Sequence, residues 1–129
     1  MPGLDPEDAK IVTLARAAQQ RAYAPHTGVA EGAAVRDVDG RTYAAATVEH
    51  RDERLTTSAV RAAVAAAASS GVRRFTAVAI VTPRDVLCAD DMAIVAEFGH
   101  GIGVFVADLD GTVRRQFAVG EVIGAPDVS

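Results

Sequence analysis

Glu49, His50, Asp52 and Glu53 fall in one short run, and Ser58 follows soon after. Such a cluster offers general acids and bases or metal ligands, and Ser58, His50 and Asp52 are the three residue types of a hydrolytic triad. Spacing alone does not fix a triad's geometry. Arg51 and Arg54 between the acids favour a solvated loop of mixed charge. The single cysteine, Cys88, stands just before Asp90 and Asp91. A lone cysteine reads first as a small buried hydrophobe. At a helix N-terminus the dipole favours its thiolate, so the alternative is a reactive thiol. Asp90 and Asp91 read most economically as caps of the helix that follows them. His26 and His100 are isolated and read as surface residues.

Four separated motifs carry more information together than any of these groups alone. They are Ala22-Tyr23-Ala24-Pro25-His26-Thr27-Gly28-Val29 with Glu31-Gly32-Ala33-Ala34; Thr47-Val48-Glu49-His50; Ser58-Ala59-Val60-Arg61-Ala62-Ala63; and Leu87-Cys88-Ala89-Asp90-Asp91 with Ala96-Glu97-Phe98. In order and spacing the series resembles the small cytidine deaminases, whose pattern runs AYxPYSxFxVGAA, NVEN, CAERAA and PCxxCRQxxxEF. The resemblance extends from about Leu14 to Phe98.

The resemblance implies a zinc site and then removes it. Hydrolytic deamination uses a zinc-activated water, one His or Cys ligand from an (H/C)-x-E motif, two Cys ligands from PCxxC, and a Glu that moves protons. Both motifs open helices, so the ligands converge across helix N-termini. Carried over by position, Ser58 and Asp91 replace two ligands, Cys88 remains as the third, and Val60 replaces the proton-shuttling Glu. A serine hydroxyl is a poor zinc ligand, and two plausible ligands do not hold a catalytic zinc that normally takes three. Valine moves no proton. Catalysis is therefore expected to be absent, with Ser58, Cys88 and Asp91 as vestigial metal positions.

For ligand binding, Glu49 matches the carboxylate that hydrogen-bonds the ribose in the resembled family. Thr47 stands where an Asn assists it, and Val29 where a Phe lines the nucleoside pocket. Without the resemblance, Glu49 would be an exposed strand-end acid and Val29 a core residue. The resemblance also implies a homo-oligomer, a dimer or tetramer, with neighbouring subunits completing each pocket.

Composition bounds the rest. The chain has 129 residues, enough for one domain (1–129) with a real core. Hydrophobic residues make up 50%, with four Phe, two Tyr and no Trp, so alanine and valine supply much of the core. A net charge of −4 argues against a nucleic-acid backbone binder. One cysteine excludes an internal disulfide. The acidic N-terminus lacks a secretory pattern, and the alanine run 62–68 is too short to span a bilayer, so a cytoplasmic protein without a membrane segment is expected.

These groups must be positioned by a small set of elements. Asp5 to Arg21 reads as a helix with Asp5 as cap and Pro6 in its first turn. Val29–Val38 and Arg41–Val48 alternate around Asp39-Gly40, a hairpin signal. Leu55 to Ser70 is an alanine-rich helix ended by Gly71, with Ser58 as a cap or early residue of it. Phe75 to Thr82 is a buried strand, and a short helix runs to Phe98. Strands Ile102–Ala107 and Val113–Phe117 flank Asp110-Gly111, and the tail 119–129 is expected to carry a short helical turn before Pro126. This order predicts an α/β fold, a three-layer α/β/α sandwich of cytidine deaminase type with a central mixed sheet.

The reading is a cytidine-deaminase-like protein without zinc-dependent deamination and without a cofactor. It binds a nucleoside-like small molecule or serves in an oligomer. The alternative is a divergent active deaminase of cytidine or a related aminopyrimidine nucleoside, a zinc hydrolase using Cys88, Asp91 and a repositioned acid.

Overall fold

The computed structural model describes residues 4–120. The expected turn before Pro126 lies outside them. Helix α1 (Pro6–Gln19) leads to strands β1 (Gly32–Asp37) and β2 (Thr42–Ala46), then helix α2 (Ala59–Ser69) and strand β3 (Phe75–Val81). Helix α3 (Ala89–Ala96) and strands β4 (Ile102–Ala107) and β5 (Val113–Val119) complete the order. The five strands lie in the order β2-β1-β3-β4-β5. Only β3 and β4 are parallel; the other pairs are antiparallel. The sheet is mixed, as expected.

Alternation along the strands sends side chains to two separate cores. One face carries Ala33, Val35, Val78, Ile80, Val104 and Val106 against α2 and α3. The other carries Ala34, Ala77, Ala79, Val81 and Phe105 against Ile11, Val12 and Ala15 of α1. The layers are therefore α1, sheet, and α2 with α3. The alanine-rich α2 buries Ala63 and Ala67 completely against the sheet, while Ala65 and Ala66 face outward. The core use of this helix is clear.

The termini of the elements follow their local chemistry. Asp5 caps α1, its carboxylate accepting the Glu7 amide at 2.9 Å. Gly71 ends α2 at φ +101, and the amides of Gly71 and Val72 return to Ala68 and Ala67, a Schellman closure. Gly32 allows α1 to rest directly on β1. A Cβ there would stand 2.1 Å from the Ala15 carbonyl oxygen and 2.4 Å from the Gln19 nitrogen.

Three boundaries differ from the sequence reading. The hairpin strands are shorter than 29–38 and 41–48: beyond Thr47, whose amide still reaches the Glu31 carbonyl, Val48 pairs with Thr57 and Glu49 bonds to Tyr23. Helix α2 starts at Ala59 rather than Leu55. Glu53–Leu55 forms a separate 3-10 turn, Thr56 is extended, and Thr57 bridges to Val48. Helix α3 is not capped by Asp90 or Asp91: Cys88 holds the N-cap position and makes no side-chain capping bond. Among the described residues no helix is long and apolar enough to cross a membrane.

Candidate functional site

Chain direction brings two helix N-termini to one place. A short turn joins α2 to β3, so α2 begins at the end of the sheet where β3 finishes. The β3–β4 pair is parallel and needs a crossover, so α3 begins at that same end. Side chains at the two starts meet: the Ser58 hydroxyl donates to Asp91 Oδ1 at 2.7 Å. Ser58 Oγ also accepts the Arg61 amide at 3.0 Å and caps α2.

A cleft of about 530 Å3 opens at this junction, within the size range of small-molecule sites. Val60 and Ile80 are its apolar floor, each 3% exposed. The segments containing Val29, Thr47 and Glu49 line it, as do Ser58, Cys88 and Asp91. Every residue singled out from the sequence for binding or for the lost metal therefore reaches one cavity.

Each has a definite setting there. Glu49 is 8% exposed, so it is not the exposed strand-end acid of the simplest reading. Its carboxylate accepts the Thr27 hydroxyl, the His26 amide at 2.8 Å and the Thr27 amide at 3.1 Å. The Thr27 hydroxyl, with help from the two amides and against the effect of burial, holds the Glu49 carboxyl below the ordinary glutamate value of 4.5. Thr47 is buried, and its hydroxyl is committed to the Glu31 backbone, accepting from the amide at 3.1 Å and donating to the carbonyl at 3.3 Å. Val29 is half-buried at the rim.

The hydrolytic triad does not form. The Asp52 carboxylate pairs with Arg54 at 2.7 Å, which lowers its pKa, while the Ser58 hydroxyl is turned to Asp91. His50 Nδ1 accepts the Asp52 amide at 2.9 Å in an exposed, mixed-charge loop. Cys88 is exposed, which corrects the buried-hydrophobe reading: the segment 83–88 stays on the surface and opens α3 at the cleft mouth. Asp91 accepts from Ser58 instead of capping its helix.

The donor set does not fit a catalytic zinc. Ser58 spends its proton on Asp91, and a protonated hydroxyl is a poor ligand. Among the described residues no three His, Cys, Asp or Glu side chains come together as a metal-holding set. Val60 packs into the core with Val64 and Ile80, and it can neither hold nor pass a proton.

One cleft residue escaped the sequence reading. Glu31 stands at the foot of β1, its Oε2 accepting the buried Thr82 hydroxyl and lying 3.4 Å from Arg84 Nε. The signal was available, since the pattern AYxPYSxFxVGAA has Val at that position.

The comparisons with known proteins agree with this architecture. A cytidine deaminase-like family model matches residues 4–111. A protein of Sporosarcina psychrophila named cytidine deaminase is 31% identical over 110 residues, covering 82% of this chain and 81% of that protein. The cytidine deaminase structure from Burkholderia pseudomallei superposes with a TM-score of 0.78 at 27% identity, covering 93% of this chain and 97% of that one. That from Mycobacterium tuberculosis gives a TM-score of 0.71 at 27% identity, covering 96% and 98%. A mixed sheet between α1 and the α2–α3 pair, a cleft where two helix N-termini meet, and a family match over most of its length place this chain in the cytidine deaminase-like family.

Proposed function

We propose that this chain is a non-deaminating member of its family that holds a nucleoside-like small molecule in the cleft. The observation that carries the reading is the Ser58–Asp91 hydrogen bond beside the buried Val60. At the point where a metal-bound water would be activated, the cleft has a neutral hydroxyl turned to a carboxylate and an apolar floor. Binding is supported by what the cleft retains: its size, its apolar floor, and Glu49 at its wall. Three donors occupy Glu49, and a carboxylate offers about four lone-pair positions. One position is left for a ligand hydroxyl.

Assembly as a homo-oligomer, a dimer or tetramer in the cytoplasm, is part of the same proposal. Its support is exposed apolar surface on neighbouring backbone: Tyr23 (59% exposed) bridges to Val48 (53%). Exposed apolar surface grouped in this way commonly marks an interface. Light scattering on the full chain tests the mass.

The decisive experiment joins metal analysis of protein purified without chelators to an ultraviolet assay on cytidine and deoxycytidine. The expected result is no stoichiometric zinc and no turnover above buffer. Turnover with stoichiometric zinc, both abolished by Asp91→Ala, would establish the competing reading of a divergent deaminase with a rebuilt site. A thermal-shift series with nucleosides tests binding directly, and a hit weakened by Glu49→Gln is expected.

A further inference from the structure

Glu31 is the acid at the foot of β1 in the cleft, and its setting leaves an acceptor open to a ligand. It lies next to the Gly32–Val81 pairing of β1 with β3, opposite Thr82. Thr82 is fully buried and donates its hydroxyl to Glu31 Oε2. The Thr82 oxygen accepts the Arg84 amide at 3.0 Å, and the Arg84 carbonyl accepts from the Arg114 guanidinium. The Arg84 side chain returns to Oε2 at 3.4 Å. Glu31 is thus held from two sides, with its side chain only 18% exposed.

All of this holding falls on Oε2. Among the described residues no protein donor reaches Oε1. An ionised carboxylate accepts hydrogen bonds and gives none. A ligand group that meets Oε1 must therefore be a donor. A carbonyl oxygen there would set two acceptors face to face, whereas an amino group would satisfy the site. The remaining N–H groups of Arg84 suit an acceptor beside that amino group, as on the edge of an amino-substituted ring. Val60 stands where the sequence pattern has Glu, and Glu31 where it has Val. The cleft has exchanged polarity between the start of α2 and the sheet wall.

We infer that Glu31, fixed by Thr82 and Arg84, is the specificity-determining residue of the cleft and selects a ring-bearing ligand with an amino group over its carbonyl counterpart. The inference rests on the reading that the cleft binds a nucleoside-like molecule. Calorimetric titration of the full chain with cytidine and with uridine separates the two claims. Wild-type protein is expected to bind cytidine more tightly by on the order of tenfold, the worth of one charge-assisted hydrogen bond in an open cleft. Glu31→Gln, whose amide can donate to a carbonyl, should close or reverse the preference while leaving the melting temperature near that of wild type. Thr82→Val, which frees the carboxylate, should weaken the preference without reversing it. Equal affinities in the wild type, or a preference that survives Glu31→Gln, overturn the role of Glu31 and leave nucleoside binding standing. Failure of both nucleosides to bind overturns the binding reading and this inference with it.

Discussion

Glu49 serves the fold before it serves any ligand. Its three donors tie the 26–27 segment to the chain just beyond β2, and the Thr27 hydroxyl is the largest influence lowering its pKa. A carboxyl depressed in the folded state adds stability above its unfolded value, and that stability drains away as pH falls through the folded value. Acid unfolding should therefore include a contribution from Glu49 that is complete above about pH 4.5 and disappears below it. Asp52 and Asp110, also depressed, contribute in the same way above about pH 3.8 and lose that contribution below it. Glu49→Gln should flatten the upper part of that profile, measured by urea unfolding between pH 3 and 7; an unchanged profile would show that Thr27 and His26 do not hold the ionised form. The positions of Glu49, Thr47 and Val29 were legible because their motif keeps its order. The engagement of the Thr47 hydroxyl by Glu31 was not. It depends on the chain leaving the hairpin early, and no periodicity encodes that. The exposure of Cys88 was hidden for a related reason, since the surface course of 83–88 is set by where the strand before it ends.

At the scale of elements, the meeting of the α2 and α3 N-termini is the feature on which the site depends. Ser58 acts on both helices, accepting the Arg61 amide of one and donating to Asp91 of the other. Ser58→Ala loses a cap and a hydrogen bond to a carboxylate, and is expected to cost about 1–2 kcal/mol. In a double-mutant cycle with Asp91→Ala, the two costs should fall short of additivity, because each single change already breaks the shared bond. Full additivity would mean the bond contributes nothing. The same contact sets the distance at which side chains from the two helices can share a metal. Ser58→Cys with Asp91→Cys, together with the native Cys88 on the same cleft, would present three thiolates, a ligand number that holds zinc. That variant should retain stoichiometric zinc on metal analysis and still fail to deaminate cytidine, because Val60 remains. Failure to retain zinc would place Cys88 out of reach of the junction. Ser58 as a cap was among the sequence readings. The helix start at Ala59 was missed because Thr57 pairs with Val48 and the Thr56 hydroxyl accepts the His50 amide, tertiary contacts that override the helical pattern from Leu55 onward.

For the molecule as a whole, the layer order was legible and the spacing of the layers was not. The unbroken apolar run 75–82 and the apolar stripe of α1 imply helices on both faces of a sheet. What they do not reveal is how near the helix lies, and here small residues decide it. The core beneath α1 is largely alanine, with Ile11, Val12, Val81 and Phe105 as its larger members, so attraction there depends on close approach rather than on bulk. Gly32 makes that approach possible, since the Ala15 carbonyl oxygen and the Gln19 backbone occupy the volume of any Cβ. Those are backbone atoms of a helix and cannot turn aside as a side chain would. Gly32→Ala must therefore lift the C-terminal turn of α1 or bend β1, and either movement loosens the alanine layer along with Glu31, the residue just before it. Overpacking of this kind costs about 1–3 kcal/mol. Gly40→Ala provides the control: at φ +88 its Cβ meets no atom within 4 Å, so it bears backbone strain without a clash. Urea unfolding should show the larger loss for Gly32→Ala, and ligand affinity should fall in that variant alone, since only there does the disturbance reach the cleft. Equal losses at the two glycines, with affinity unchanged, would mean that α1 can ride higher on the sheet at no cost, and that the tight contact does not position the site.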